Sequence, residues 1–291
     1  MEIIGSRKVW TRLDKQAECT NASNAEIRGG LGFEVADYIE MAEVVAELQF
    51  RNADQVLLFR GQNTDFKNQQ GNSSILPSMF RPEVSKKGKP KNVDTKILKS
   101  RYDILLKGER LLIEHFKQQS RFGKTRIYRS RLVRWAILQH HDVCPTPLLD
   151  VTHSLRIAAS FASMDCEDEA FLYVLGVPQL SGAVTVNASS GTQIIRLSSI
   201  CPPSAARPHL QEGYLLSEYP DIGDTGQIDN YKIHEVDFGR RLIAKLRFKP
   251  ESFWQTNGDA FPKIPHKALY PSGILDDLKA TAIQIKETLK K

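Results

Sequence analysis

The stretch Gln55-Val56-Leu57-Leu58-Phe59-Arg60-Gly61 constrains this chain more than any other part of it. A short unbroken apolar run bounded by a glycine fits a buried strand. Arg60 then stands at the end of that strand, beside Gly61 and Gln62. A guanidinium is always charged and carries a planar fork of donors, so at a strand end it suits a phosphate, a carboxylate or a ligand carbonyl. The same placement also fits an ordinary salt bridge at a strand end.

The flanking sequence alternates between helical and strand-like texture. From Phe33 onward Val35, Tyr38, Ile39, Ala42, Val45, Ala46 and Leu48 recur at helical spacing, which predicts an amphipathic helix leading into the strand. Leu98, Tyr102, Leu105, Leu106, Leu112, Ile113 and Phe116 form one stripe and predict a helix over about 94–119. A second, deeply buried helix is expected over 130–140. A third is expected over 155–164, with Ser154 as its N-cap. Beyond Ala170 come short strands at 171–177, 183–186, 193–197, 213–216 and 241–248. A last helix then carries Ile274, Leu278, Ala282, Ile285 and Leu289 behind Pro271. Residues 1–32 mix Asn21, Asn24, Gly29, Gly30 and Gly32 with few apolar residues and read as an irregular N-terminal extension. With no internal repeat and no clean linker, 33–291 reads as a single α+β domain.

Composition excludes several classes. Hydrophobic residues make up 41% of the 291 and charged residues 25%, ordinary globular usage. No apolar run approaches the roughly 20 residues of a membrane span, so no membrane contact is expected. The N-terminus lacks a basic region followed by an apolar core, and no secretory signal is read there. Cys19, Cys144, Cys166 and Cys201 stand far apart, which argues against a zinc cluster and for reduced thiols in the cytoplasm. His140, His141, Asp142, Asp150 and His153 crowd one segment but match no common zinc spacing, so no metal is expected. Phosphate-loop, dinucleotide-fold and nucleophile-elbow glycine motifs are missing as well.

The formal charge of +6 is uneven. Lys117, Arg121, Lys124, Arg126, Arg129, Arg131 and Arg134 follow one another without an acidic residue. Such density draws nucleic acid or a phosphate-bearing ligand, or else makes a solvated helix face beside a loop. The loop at 86–91 (KKGKPK) adds a further basic stretch.

Phe59-Arg60-Gly61-Gln62 resembles the signature of the FRG domain family, and later segments resemble that family in the same order. Leu76-Pro77-Ser78-Met79-Phe80-Arg81 is similar to its Leu-Pro-Ser-x-x-Arg segment. Gln139-His140-His141-Asp142 through Pro145 to Thr152 is similar to its Gln-His-x-Gly-x-Pro-Thr-Arg-Leu-Leu-Asp-Trp-Thr block, with Asp142 in place of Gly, Pro147 of Arg and Val151 of Trp. Arg207 with Gln211 and Gly213, and then Leu269-Tyr270-Pro271, resemble its closing elements. More remotely, the order of these features is similar to ADP-ribosyltransferases. That likeness implies an α+β core of small antiparallel sheets with helices packed around it, and NAD as the substrate.

On that likeness Arg60, Gly61, Gln62, Thr152 and Ser154 hold NAD, and Glu212 or Gln211 takes the catalytic position. The acceptor of ADP-ribose is a protein or a nucleic acid. The alternative is a module that binds a nucleotide or nucleic acid without chemistry. Thr152 and Ser154 also fit plain helix capping. His141 is expected to line the same pocket as Arg60, or else to close its helix by bonding spare carbonyls. Oligomeric state is not legible in the sequence.

Overall fold

The computed structural model describes residues 7–290 except 15, 17, 83–92, 119–123, 202–204, 229–234, 257 and 272–276. Along the chain run β1 (Lys8–Thr11), β2 (Thr20–Ser23), α1 (Asn24–Gly29), β3 (Phe33–Glu34), α2 (Tyr38–Arg51), β4 (Val56–Gln62), α3 (Thr95–Gln118), α4 (Lys124–Arg129) and α5 (Arg131–His140). Then follow β5 (Leu149–Thr152), α6 (Leu155–Ala162), β6 (Ala170–Val177), β7 (Val184–Asn187), β8 (Thr192–Arg196), α7 (Leu197–Ile200), α8 (Ala206–Leu210) and β9 (Gly213–Glu218). The last elements are α9 (Thr225–Ile228), β10 (Leu242–Phe248), α10 (Pro250–Gln255), α11 (His266–Leu269) and α12 (Asp277–Lys290). The chain is α+β. Where the sequence reads as one domain after residue 32, it divides into two compact units: Met1–Ile75, Val151–Leu180 and Asp237–Leu269 form one, and Leu76–Asp150, Ser181–Val236 and Tyr270–Lys291 the other.

The first unit is built on β3, β10, β6, β4 and β5, hydrogen-bonded in that order. β10 runs parallel to β3, and β10–β6, β6–β4 and β4–β5 are antiparallel. The sheet is therefore mixed, which corrects the expectation of antiparallel sheets alone. Every residue of β6 is buried, so both faces of this interior strand are covered. Residues 1–32 are not irregular. β1 and β2 pair as an antiparallel hairpin, and Ser23 closes a capping box on Glu26 at the start of α1. Phe33 and Glu34 belong to a strand, and the expected helix begins only at Tyr38, behind the N-cap Asp37.

Two buried cations in this unit are paired. Arg28 donates to Asp237 Oδ2 (2.5 Å) and to the Ser73 carbonyl (2.7 Å). The Lys245 ammonium, fully buried, donates to Asp65 Oδ2 (2.8 Å), Ser73 Oγ (2.8 Å) and the Gly30 carbonyl (2.5 Å). A buried charge without such partners costs several kcal/mol, about 3–5 when one partner of a buried pair is removed.

The core of the second unit gathers Leu105, Leu112 and Phe116 of α3, Val133, Trp135 and Leu138 of α5, Ile195 of β8, Leu215 of β9, and Leu278, Ala282 and Ile285 of α12. β7, β8 and β9 form an antiparallel meander. The Glu109 carboxylate of α3, 5% exposed as a residue, accepts from Arg134 Nε of α5 at 3.0 Å.

The basic run reads differently in three dimensions. Arg126 donates to the Ser199 carbonyl (2.8 Å), and Arg134 to Glu109 and the Ile127 carbonyl (2.7 Å). Arg131 lies over the Trp135 ring, 5.4 Å from its centroid. Much of the run is therefore engaged by the protein itself, while Arg129 is exposed. The 86–91 loop, Arg121 and Ile274 lie outside the described residues. No helix among the described residues is long and apolar enough to cross a membrane.

Candidate functional site

Arg60, Gly61, Gln62, Thr152 and Ser154 belong to the first unit, and His141, Gln211 and Glu212 to the second. In the first unit β4 buries Leu57, Leu58 and Phe59 and then delivers the partly buried Arg60. Arg60 stands opposite Tyr173 of β6, and its charge acts on the Tyr173 hydroxyl. Burial and the carboxylate of Asp65, which accepts that hydroxyl's hydrogen bond at 2.8 Å, push the tyrosine above its usual range, while Arg60 pulls it back. Asp65 also accepts from Lys245 and Lys67. Burial raises its carboxyl, and these hydrogen bonds outweigh burial to leave it below the ordinary carboxylate range.

Gly61 has a packing reason to be glycine. A Cβ there would stand 2.7 Å from Ala162 N and would overlap the Ala158 carbonyl, so α6 rests directly on the backbone of β4. Thr152 of β5 pairs with Phe59 of β4. Opposite residues of an antiparallel pair share a face and successive residues alternate, so Thr152 lies on the α6 face with Phe59 and Gly61, and Arg60 on the other face with Tyr173. Thr152 Oγ1 accepts from the Ser154 N–H at 3.0 Å. Ser154 occupies the N-cap position of α6 with extended backbone, yet its side chain makes no capping hydrogen bond. The Gln62 Oε1 is buried and, among the described residues, has no hydrogen-bond partner.

The second unit brings together most of the remaining motif residues. The Leu76 to Arg81 loop and the Gln139 to Asp150 block are tied to each other. Thr146 Oγ1 and Ser78 Oγ both donate to Gln139 Oε1, at 2.5 and 3.3 Å, and Gln139 Nε2 donates to Asp150 Oδ2 at 2.5 Å. The Met79 N–H donates to the Thr146 carbonyl, and the Thr146 N–H to Ser78 Oγ. His140 ends α5, and His141 follows as its C-cap through backbone hydrogen bonds to Gln139 and Ile137. The imidazole of His141 closes nothing through Nε2, which is buried and has no protein partner among the described residues; the same holds for His140 Nε2. The two rings meet edge to face with centroids 5.4 Å apart.

Arg207 of α8 donates to Asp142 Oδ2 at 3.3 Å and lies over the Tyr270 ring, 4.6 Å from its centroid. Burial, the charge of Arg207 and that of Lys279 hold His141 down to about 3, and burial with Arg207 and His141 lowers His140 well below its usual value. Both imidazoles are therefore neutral. Gln211 is buried and closes α8, one turn after Arg207. Glu212 is exposed and takes φ +44°, in the left-handed region. The buried partner in this adjacent pair is thus the amide, and the carboxylate faces solvent.

His140, Arg207, Tyr270 and the Gln139–Asp150 pair were not among the residues expected to act. The signal that singles them out is their place in the quoted segments: Gln139, His140 and Asp150 around His141, Arg207 before Gln211, and Tyr270 in Leu269-Tyr270-Pro271. Among the described residues no group of three or more His, Cys, Asp or Glu is arranged to hold a metal ion. No curated protein and no solved structure matches the chain. The family model that does match is that of the FRG domain, over residues 55–170, from the residue before β4 to the first of β6. On that match the chain carries an FRG domain over residues 55–170.

Proposed function

We propose that the protein is an NAD-consuming enzyme of the ADP-ribosyltransferase type, passing ADP-ribose to a protein or nucleic-acid acceptor. The observation that carries this reading is Arg60: a partly buried guanidinium at the end of an interior strand, followed by Gly61 and by Gln62, whose buried Oε1 has no partner among the described residues, suits the polar groups of a dinucleotide. Its core is of the ADP-ribosyltransferase kind in this reading. In the reaction the bond from ribose C1′ to the nicotinamide nitrogen breaks, and nicotinamide leaves with the electron pair. The acceptor's lone pair forms the new bond to C1′ and the acceptor gives up a proton. Positive charge builds at the ribose, and a carboxylate beside it lowers that barrier. Glu212 is the residue proposed for this role and Arg60 the one proposed to hold the substrate, whereas Thr152, on the opposite face of the sheet from Arg60, is left to the start of α6. Cysteines that form no disulfide with one another suit a reducing compartment, the cytoplasm.

A second reading, nucleotide binding without turnover, is favoured by the burial of Gln211 and the exposure of Glu212, since an amide supplies no charge to the transition state. Labelled NAD incubated with the full chain, with and without protein and nucleic-acid acceptors, tests both. Nicotinamide release that falls about 10²-fold or more in Glu212→Gln and in Arg60→Ala supports the enzyme. NAD binding by calorimetry without release supports the module, and neither release nor binding overturns both.

A further inference from the structure

The second unit holds a group of buried polar atoms that the NAD reading leaves unused. His140 and His141 are 2% and 9% exposed, their rings touch, and their Nε2 atoms have no hydrogen-bond partner in the protein among the described residues. Arg207 adds a third such atom. Its terminal nitrogen engages Asp142 and its plane covers Tyr270, but its buried Nε has no protein partner among the described residues. Buried polar atoms are nearly always paired, because leaving one without a hydrogen bond costs about 1–3 kcal/mol. Three of them, brought within electrostatic reach of one another from the end of α5 and from α8, call for a partner that the described residues do not supply.

The surrounding charges select its sign. Arg207 acts on both rings and Lys279 of α12 on His141, so both imidazoles sit in positive potential. The neighbouring carboxylates are already engaged: Asp142 by Arg207, Asp150 by Gln139, and both act on Arg81. Tyr270, raised by burial, is neutral and lays its ring face against Arg207. Arg207 Nε–H is a donor in every state, and each Nε2 becomes one when it carries the proton. We propose that His140, His141 and Arg207 form a binding site for a tetrahedral oxyanion, a phosphate or sulfate group either free or carried by an ester. The site stands independently of the NAD reading. An anion arriving there reverses the local potential, raises both imidazoles toward their ordinary range, and so binds with uptake of protons.

The test is a titration of the full chain with inorganic sulfate, which keeps its charge between about pH 5 and 7.5, followed by NMR of the histidine rings. Saturable binding that tightens severalfold toward the acid end, with His140 and His141 titrating at higher pH in the complex, is the expected result. His141→Gln is expected to weaken sulfate about tenfold and flatten its pH dependence, and Arg207→Lys to weaken it at unchanged melting temperature. Absence of saturable binding, binding indifferent to pH, or binding unchanged in His141→Gln overturns the proposal. If His141→Gln does not fold, the wild-type histidine titration decides by itself. Inorganic phosphate binding more tightly than adenosine monophosphate identifies a free anion, and the reverse order identifies an ester. Nicotinamide release measured on the same samples separates failure of this site from failure of the NAD reading.

Discussion

Gly61 shows how a residue in a signature motif answers first to packing. Its missing side chain is what lets the Ala158 to Ala162 turn of α6 rest on β4, and the next residue on either side is the one free to carry polar chemistry. Gly61→Ala is expected to cost about 1–3 kcal/mol in denaturant unfolding, because the added methyl meets backbone atoms that cannot rotate away. Equal stability of the variant and the parent would show that α6 moves without penalty. Asp142 makes the complementary point. It stands where the resembling family has glycine, its φ is +53°, and it spends the side chain that glycine lacks on an ion pair with Arg207.

At the scale of elements, α2 is joined to the N-terminal hairpin by charge. Glu47 accepts from Arg12 Nε and a terminal nitrogen at 3.2 and 2.7 Å, and from Arg51 Nε, one helical turn on, at 2.8 Å. Hydrogen bonding from Arg12 leads the causes that hold its carboxyl down to about 2, against the ordinary glutamate value of about 4.3. A carboxyl lowered in the folded state stabilises the fold above its unfolded value, and that contribution is lost as pH falls through the folded one. Glu47→Gln is therefore expected to lower stability by about 1 kcal/mol at neutral pH, and the difference from the parent should close between about pH 4.3 and 2. Parallel curves over that window would mean that the pair contributes nothing.

At the scale of the molecule, the stretch matching the FRG domain is not a self-sufficient piece of either unit. Residues 55–170 contain β4, β5 and α6, but they omit β10, which pairs with β6 along its length. They also omit β8, β9 and α12, which complete the core of the second unit, and β7, which pairs with β8. A fragment of residues 55–170 is expected to show no cooperative unfolding and poor amide dispersion in NMR, whereas the full chain shows both. A well-dispersed spectrum from the fragment would place the folding information inside it.

The sequence by itself determined the elements whose signals are local. The apolar run at 56–59 became β4, the stripe from Leu98 to Phe116 became α3, and the apolar stretch expected as a helix over 130–140 became α5, because each of these depends on side chains within a turn or a few residues. The hairpin in residues 1–32 was missed although Ser23-Asn24-Ala25-Glu26 spells a capping box, since its short strands carry no periodicity of their own. Of the candidate site, the sequence supplied Arg60 at a strand end and His141 at a helix end. Only the tertiary structure decided which face each residue takes and what it meets. The register Phe59 to Thr152 turns Arg60 away from Thr152, a side-chain alternation with period two that no composition reveals. Arg207 reaches Asp142 across 65 residues, and Arg28 reaches Asp237 across 209. Such pairings exist only once the chain has closed loops of that length, and the energy that selects them is that of the assembled, dehydrated interior rather than of any segment in it.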